Sequence, residues 1–131
     1  MKKISILLSL LLFTGILFAQ QPVMTFEKTT HDFEKIKEQN GVATVKFSFT
    51  NKGDAPLVIN RVHASCGCTT PTWTKEPILP GKKGHITAAY NPKNRPGKFV
   101  KTISVFSNAG SSATTLTIKG EVIPQPAVLK Q

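Results

Sequence analysis

Acidic side chains are scarce in this sequence: seven Asp and Glu stand against seventeen Lys and Arg in 131 residues. Paired-carboxylate chemistry has little to draw on, and Asp32, Glu34 and Glu38, which lie close together, read as a solvated edge. The pair His31-Asp32 invites an acid–base reading, but adjacent strand residues face opposite ways. A Gly-x-Ser-x-Gly nucleophile turn and a phosphate-cradling glycine loop are both absent. With these gone, an enzyme is the minority reading. Tryptophan and tyrosine occur once each, and the lysines are scattered singly, so no dense basic tract with interleaved aromatics marks a nucleic-acid surface. Two cysteines are too few for the disulfide framework of a small secreted scaffold.

Long apolar runs are also lacking, with one exception. Lys2 and Lys3 precede an apolar stretch from Ile4 to Ala19. It falls short of the about 20 residues that cross a bilayer, and a basic start, a brief apolar core and a small residue before Gln20 fit a secretory signal. Residues 1–19 are therefore expected to be cleaved, leaving no stable membrane insertion; an uncleaved anchor is the alternative, because Leu17 is large for its place before the cut. The mature protein is expected in the periplasm or outside the cell, with residues 20–124 as one domain and 125–131 as a flexible tail. About 112 residues suit one domain and can bury a core without staples. Loss of Lys2 and Lys3 lowers the formal charge by two, from +10 to +8. Lys82-Lys83 is then the only basic doublet, which leaves contact with polyanions such as acidic lipids or glycans open and nucleic acid disfavoured.

What the mature sequence does contain is alternation. Val45, Phe47 and Phe49 lie on one face of a strand and Lys46, Ser48 and Thr50 on the other. Turn formers at Asn51-Lys-Gly-Asp54 end that run. Pro56 to His63 is apolar on both faces and is expected to be a central strand. Leu79-Pro80-Gly81 predicts a type II turn. Alternation returns at Ile86, Ala88 and Tyr90, at Phe99, Ile103 and Val105, and at Leu116 and Ile118, with Val23 to Phe26 as a first strand. His31 to Gln39 is polar enough for a short turn of helix. Six or seven short strands with regular turn signals predict an all-β, antiparallel β-sandwich.

The most distinctive stretch is His63-Ala-Ser-Cys66-Gly67-Cys68-Thr69-Thr-Pro71. Residues two apart on a strand share a face, but their spacing of about 6.5–7 Å exceeds what a disulfide tolerates. A bond therefore requires a kink, for which Gly67 is the least costly residue. Three readings stay open. The pair forms a local disulfide with a structural role; it joins His63, with His85 as a further candidate, as ligands of Cu(I) or Zn; or it exchanges disulfides with other thiols. The oxidised state is preferred for an exported chain. Trp73 reads as core cover over this loop rather than as a binding platform.

These residues resemble those of the exported bacterial domain-of-unknown-function family 1573 (DUF1573). The resemblance runs through His31-Asp-Phe33, Phe47-Ser-Phe-Thr-Asn51 with Gly53, Pro56-Leu57, Cys66-Gly-Cys-Thr69 with Pro71, Leu79-Pro-Gly81, Gly97-Lys-Phe99, and Val105 through Ser107-Asn108 to Ile118-Lys-Gly-Glu-Val122. It implies an immunoglobulin-like sandwich of about seven antiparallel strands and no established reaction. It also singles out Cys66, Gly67, Cys68 and Thr69 as the positions to watch. One position departs: Glu34 stands where glycine is expected after His-Asp-Phe. The resulting expectation is a non-catalytic binding or structural module of the cell envelope, with a protein partner and no cofactor. A copper or zinc protein, or a thiol–disulfide exchanger, is the alternative.

Overall fold

The computed structural model describes residues 15–127. Most of the expected signal segment, and residues 128–131 of the expected tail, lie outside them. The described residues form eight strands: β1 (Met24–Phe26), β2 (Thr30–Lys37), β3 (Ala43–Asn51), β4 (Ile59–Ala64), β5 (Thr69–Trp73), β6 (Lys83–Tyr90), β7 (Gly97–Ser107) and β8 (Thr114–Ile123). One four-stranded sheet has the order β1-β3-β6-β5 and the other β2-β8-β7-β4. Between them lies one core. Phe47, Phe49, Ile86 and Tyr90 come from the first sheet, Ile103, Val105, Leu116 and Ile118 from the second. These are the alternating positions of the sequence, so the period of two decides which side chains meet.

The all-β sandwich stands as expected, with three corrections. First, His31–Gln39 is mostly strand, and only Glu38–Asn40 turns as a 3-10 helix. The strand was hidden because β2 lies at a sheet edge, where its polar side chains stay wet. Second, not every pair is antiparallel: β2 runs parallel to β8, from Thr30 opposite Thr117 to Lys37 opposite Ile123. Third, β4 is not central. It is the other edge of the same sheet, and its apolar residues alternate irregularly because the register with β7 shifts between Ile59 and Arg61. Val62 faces the core while Arg61 lies 4.2 Å over the Phe106 ring.

Turn chemistry accounts for the connections. Gly81 has φ 79°, and Lys82 N–H donates to Leu79 O at 3.0 Å, which is the type II turn that Pro80-Gly81 predicts. Gly97, at φ 99°, opens β7. The Asn51 corner holds β1 on the sheet: Asn51 is fully buried, its Nδ2 donates to Ala55 O and Ile78 O at 2.8 and 2.9 Å, and its Oδ1 accepts from Val23 N and Gly53 N at 3.2 and 3.0 Å. A Cβ on Gly53 would collide with the backbone of residues 21–23. The Phe-Thr-Asn-x-Gly signature is thus explained by a crowded, fully hydrogen-bonded corner.

Glu34 occupies a bulge in β2 with φ 59°, in the left-handed region that favours glycine. Its N–H donates to Asp32 Oδ1 at 2.7 Å, which holds the bulge closed. The departure from the family pattern is therefore a glycine geometry filled by another residue.

Candidate functional site

The cysteine segment is one of the connections that cross between the sheets, joining β4 at the edge of the second sheet to β5 at the edge of the first. The β4–β7 ladder runs to Ala64 opposite Ile103. Ser65 extends it by one step: its N–H donates to Thr102 O at 2.9 Å, and Thr102 N–H donates to Ser65 Oγ at 3.1 Å. The chain then turns. Thr69 N–H donates to Cys66 O at 3.3 Å, closing a four-residue turn over Cys66-Gly67-Cys68-Thr69, and Asn91 N–H donates to Cys68 O at 2.8 Å. From Thr69, opposite Tyr90, β5 pairs with β6.

Cys66 and Cys68 are disulfide-bonded inside this turn, with Cα atoms 5.3 Å apart. The segment turns here, as a bond between the two cysteines requires, which brings the Cα atoms closer than an extended strand would. Gly67 bends without entering the left-handed region, and a Cβ placed on it would meet nothing within 4 Å. The kink is real, but the special freedom of glycine is not what makes it.

The two sulfurs have unequal surroundings. Cys68 is 5% exposed and belongs to the core, whereas Cys66 is half-buried at its margin. Cys68 N–H donates to Cys66 Sγ at 3.2 Å. Thr69 is 4% exposed, one of two buried polar residues among those described. Its hydroxyl lies 3.8 Å from Cys68 Sγ and 4.0 Å from Cys66 Sγ, and no other side-chain partner is recorded for it among the described residues. A buried hydroxyl is costly unless paired, and this one is paired with sulfur. Sequence parity could not show the inequality, because it places both cysteines on one face; the motif threonine was the only signal.

Other expected site residues fall as follows. Pro71 sits in β5 opposite Ala88, at an edge where its missing N–H breaks no interior ladder. His63 is exposed on β4 opposite Ser104. His85 lies on β6, with Nδ1 3.4 Å from Thr74 Oγ1. Among the described residues no three His, Cys, Asp or Glu side chains form a group able to hold a metal, so His63 is not brought together with the cysteines. In the bonded state, moreover, the sulfurs are not thiolates. Trp73 is half-buried against the core, with Lys75 Nζ 3.1 Å from its ring centre.

His31 lies beside the Lys28 ammonium. Partial burial and the Lys28 ammonium, whose Nζ lies 2.9 Å from Nδ1, push its pKa below the ordinary value, with Asp32 pulling the other way. A shallow depression of about 480 Å³ lies beside the Glu34 bulge, lined by Asp32, Lys35, Lys98 and Lys119 among others; none of its lining residues belongs to the cysteine turn. Among the described residues no helix is long and apolar enough to cross a membrane.

A family model described as "Protein of unknown function (DUF1573)" matches residues 24–122. None of the curated proteins matches the chain. Solved structures resemble it in fold. A protein of unknown function from Porphyromonas gingivalis W83 superimposes with a TM-score of 0.68 at 20% identity, over 83% of this chain and 50% of that one. The secreted serine protease VesC from Vibrio cholerae gives 0.57 at 12% identity, over 76% and 23%. The YadV chaperone gives 0.51 at 18% identity, over 79% and 52%. This chain spans half or less of those proteins, apart from YadV at about half, and at these identities the likeness is one of fold.

Proposed function

This chain belongs to the DUF1573 family of proteins of unknown function, and we propose that it is an exported, non-catalytic module of the bacterial cell envelope that binds a protein partner. The observation that carries this reading is the Cys66–Cys68 disulfide at a crossover between two open-edged sheets. Disulfides persist in oxidising compartments, which supports export, as does the signal-like residues 1–19 before a domain beginning near Gln20. Open edges support strand addition, in which a partner segment pairs with free backbone groups. Of the four edges, β1 has three residues, β5 carries Pro71 and β2 is interrupted by the Glu34 bulge, so β4 is better suited to take a partner strand. Only two ion pairs form among the described residues, Lys83–Glu27 at 3.1 Å and Lys119–Asp32 at 4.0 Å. The lysine excess therefore stays in solvent, where it favours acidic partner surfaces or polyanions.

The test is to express the full chain in a Gram-negative host and weigh the protein recovered from the periplasm. A mature chain starting at Gln20 and two hydrogens lighter than its dithiol supports the reading. An uncleaved chain in the cytoplasm with two free thiols overturns it.

A further inference from the structure

We propose that Cys66 Sγ is the exchanging sulfur of a thiol–disulfide site, taking the thiol of a partner into a mixed disulfide while Thr69 carries the released Cys68 thiolate. This rests on the reading above in one respect: the oxidised pair is the resting state only in an oxidising compartment.

Access selects the sulfur. Exchange requires a thiolate to approach a disulfide sulfur in line with the bond, and access governs which sulfur is attacked. Cys66 lies at the margin of the core, whereas Cys68 is 5% exposed within it. The Cys68 N–H, 3.2 Å from Cys66 Sγ, withdraws electron density from the sulfur under attack. When the pair is reduced, that same N–H stabilises a Cys66 thiolate, so Cys66 is the bonded sulfur in both directions of the exchange.

Thr69 answers for the other sulfur. A disulfide sulfur is a weak acceptor and a thiolate a strong one, so the Oγ–H at 3.8 Å from Cys68 Sγ gains strength only as the bond opens. The hydroxyl is buried with sulfur as its recorded side-chain partner, an arrangement that a purely structural turn does not need. Thr69 is a positioning residue here, acting on the leaving group and not touching the incoming thiol.

The step balances with the thiol as the sole co-reactant. The incoming thiolate gives an electron pair to Cys66 Sγ, the Sγ–Sγ bond breaks, and its pair remains on Cys68 Sγ. The proton lost when the incoming thiol ionised returns from solvent to Cys68. The products are a mixed disulfide at Cys66 and a Cys68 thiol; attack by the Cys68 thiolate reverses it. β4, the edge suited to a partner strand, runs directly into Ser65-Cys66, so a bound segment ends beside the exchanging sulfur.

Three measurements test this. Cys68→Ser, treated with oxidised glutathione, is expected to add one glutathione at least about tenfold faster than Cys66→Ser; equal rates, or the reverse order, overturn the proposal. Because either variant could fold poorly, the reduced wild-type chain is alkylated with limiting iodoacetamide and mapped: label first on Cys66 supports it, label first on Cys68 overturns it. Thr69→Val is expected to slow opening of the wild-type disulfide by reduced glutathione by about tenfold, with Thr69→Ser within about twofold of wild type; a Val variant as fast as wild type removes Thr69 from the role. Repeating the opening with a cysteine-containing peptide separates the thiol sources: a rate above that of glutathione indicates a protein cysteine, and a lower rate a free small thiol. Failure here is distinct from failure of the binding-module reading. An exported, oxidised chain that resists thiols sinks the exchange alone, and a cytoplasmic chain whose purified pair exchanges at Cys66 sinks the export reading alone.

Discussion

The Asn51 corner and the cysteine turn both carry family signatures, and both place polar groups inside the protein, yet they use them differently. At Asn51 every side-chain hydrogen-bonding group meets backbone, from its own turn at Gly53 and Ala55 and from the distant segments at Val23 and Ile78. At the cysteine turn the buried hydroxyl of Thr69 faces two sulfurs, groups whose bonding changes with redox state. A motif whose polar atoms are all spent on backbone is structural. One whose polar atom faces a disulfide has a partner whose bonding depends on redox state.

The comparison breaks first at the corner. Asn51→Ala removes four hydrogen bonds, taking their side-chain partner from Ala55 O, Val23 N–H and Gly53 N–H while Ile78 O keeps Leu57 N–H, and is expected to cost about 3 kcal/mol or more in urea or guanidinium unfolding. A loss below about 1 kcal/mol would show that water replaces the side chain and that the corner is not the keystone described. Removing the disulfide should cost less, although it is covalent. The closed loop holds only Cys66, Gly67 and Cys68, for which chain entropy gives about 1.6 kcal/mol. A Cys66→Ser/Cys68→Ser double variant that unfolds at 25 °C would make the turn a structural staple and undo the contrast.

Smaller changes sharpen it. Glu34→Gly relieves the left-handed backbone at φ 59° and is expected to stabilise the protein by about 0.5 to 1 kcal/mol, the relief being partly offset by the freer unfolded chain. A lower melting temperature would mean that the Glu34 side chain does more than fill the bulge. Gly67→Ala should change stability by less than about 0.5 kcal/mol, since the added methyl meets nothing within 4 Å. If it instead prevents disulfide formation, the turn must rearrange on closure.

The smallest effect concerns Glu38, which accepts Asn94 N–H at 2.8 Å and Gln125 N–H at 3.2 Å and so ties the β6–β7 loop to the chain after β8. These two N–H groups hold its pKa below the ordinary carboxylate value, with a further small pull from Lys93 against some desolvation. A depressed folded pKa means that its contribution is present above the unfolded pKa and is lost as pH falls through the folded one. NMR titration of Glu38 should show that low value, and Glu38→Gln should abolish the coupled shifts of the Asn94 and Gln125 amides below pH 4.5. Amides that still titrate with the variant would assign the effect to another group.

Legibility in the sequence followed burial on one face. Strands β3, β6, β7 and β8 were readable because one face of each is dry and the other wet, which writes a period of two into the residues. Edge strands lack that contrast: in β2 the bulge between Phe33 and Ile36 breaks the alternation, and β5 is a run of threonines around Pro71. The Pro80-Gly81 turn was legible because backbone angles constrain residue type directly, whereas the glycine expected at position 34 came only through the family resemblance.

From the sequence alone came the all-β class, most core residues, the turns and the position of the cysteine pair, since alternation and turn chemistry act between neighbours in the chain. Tertiary structure alone decided that β2 runs parallel to β8, that β4 is an edge, and that Cys68 is buried while Cys66 is not. Those facts depend on which segments, distant in sequence, pack against each other, and no local pattern carries that information.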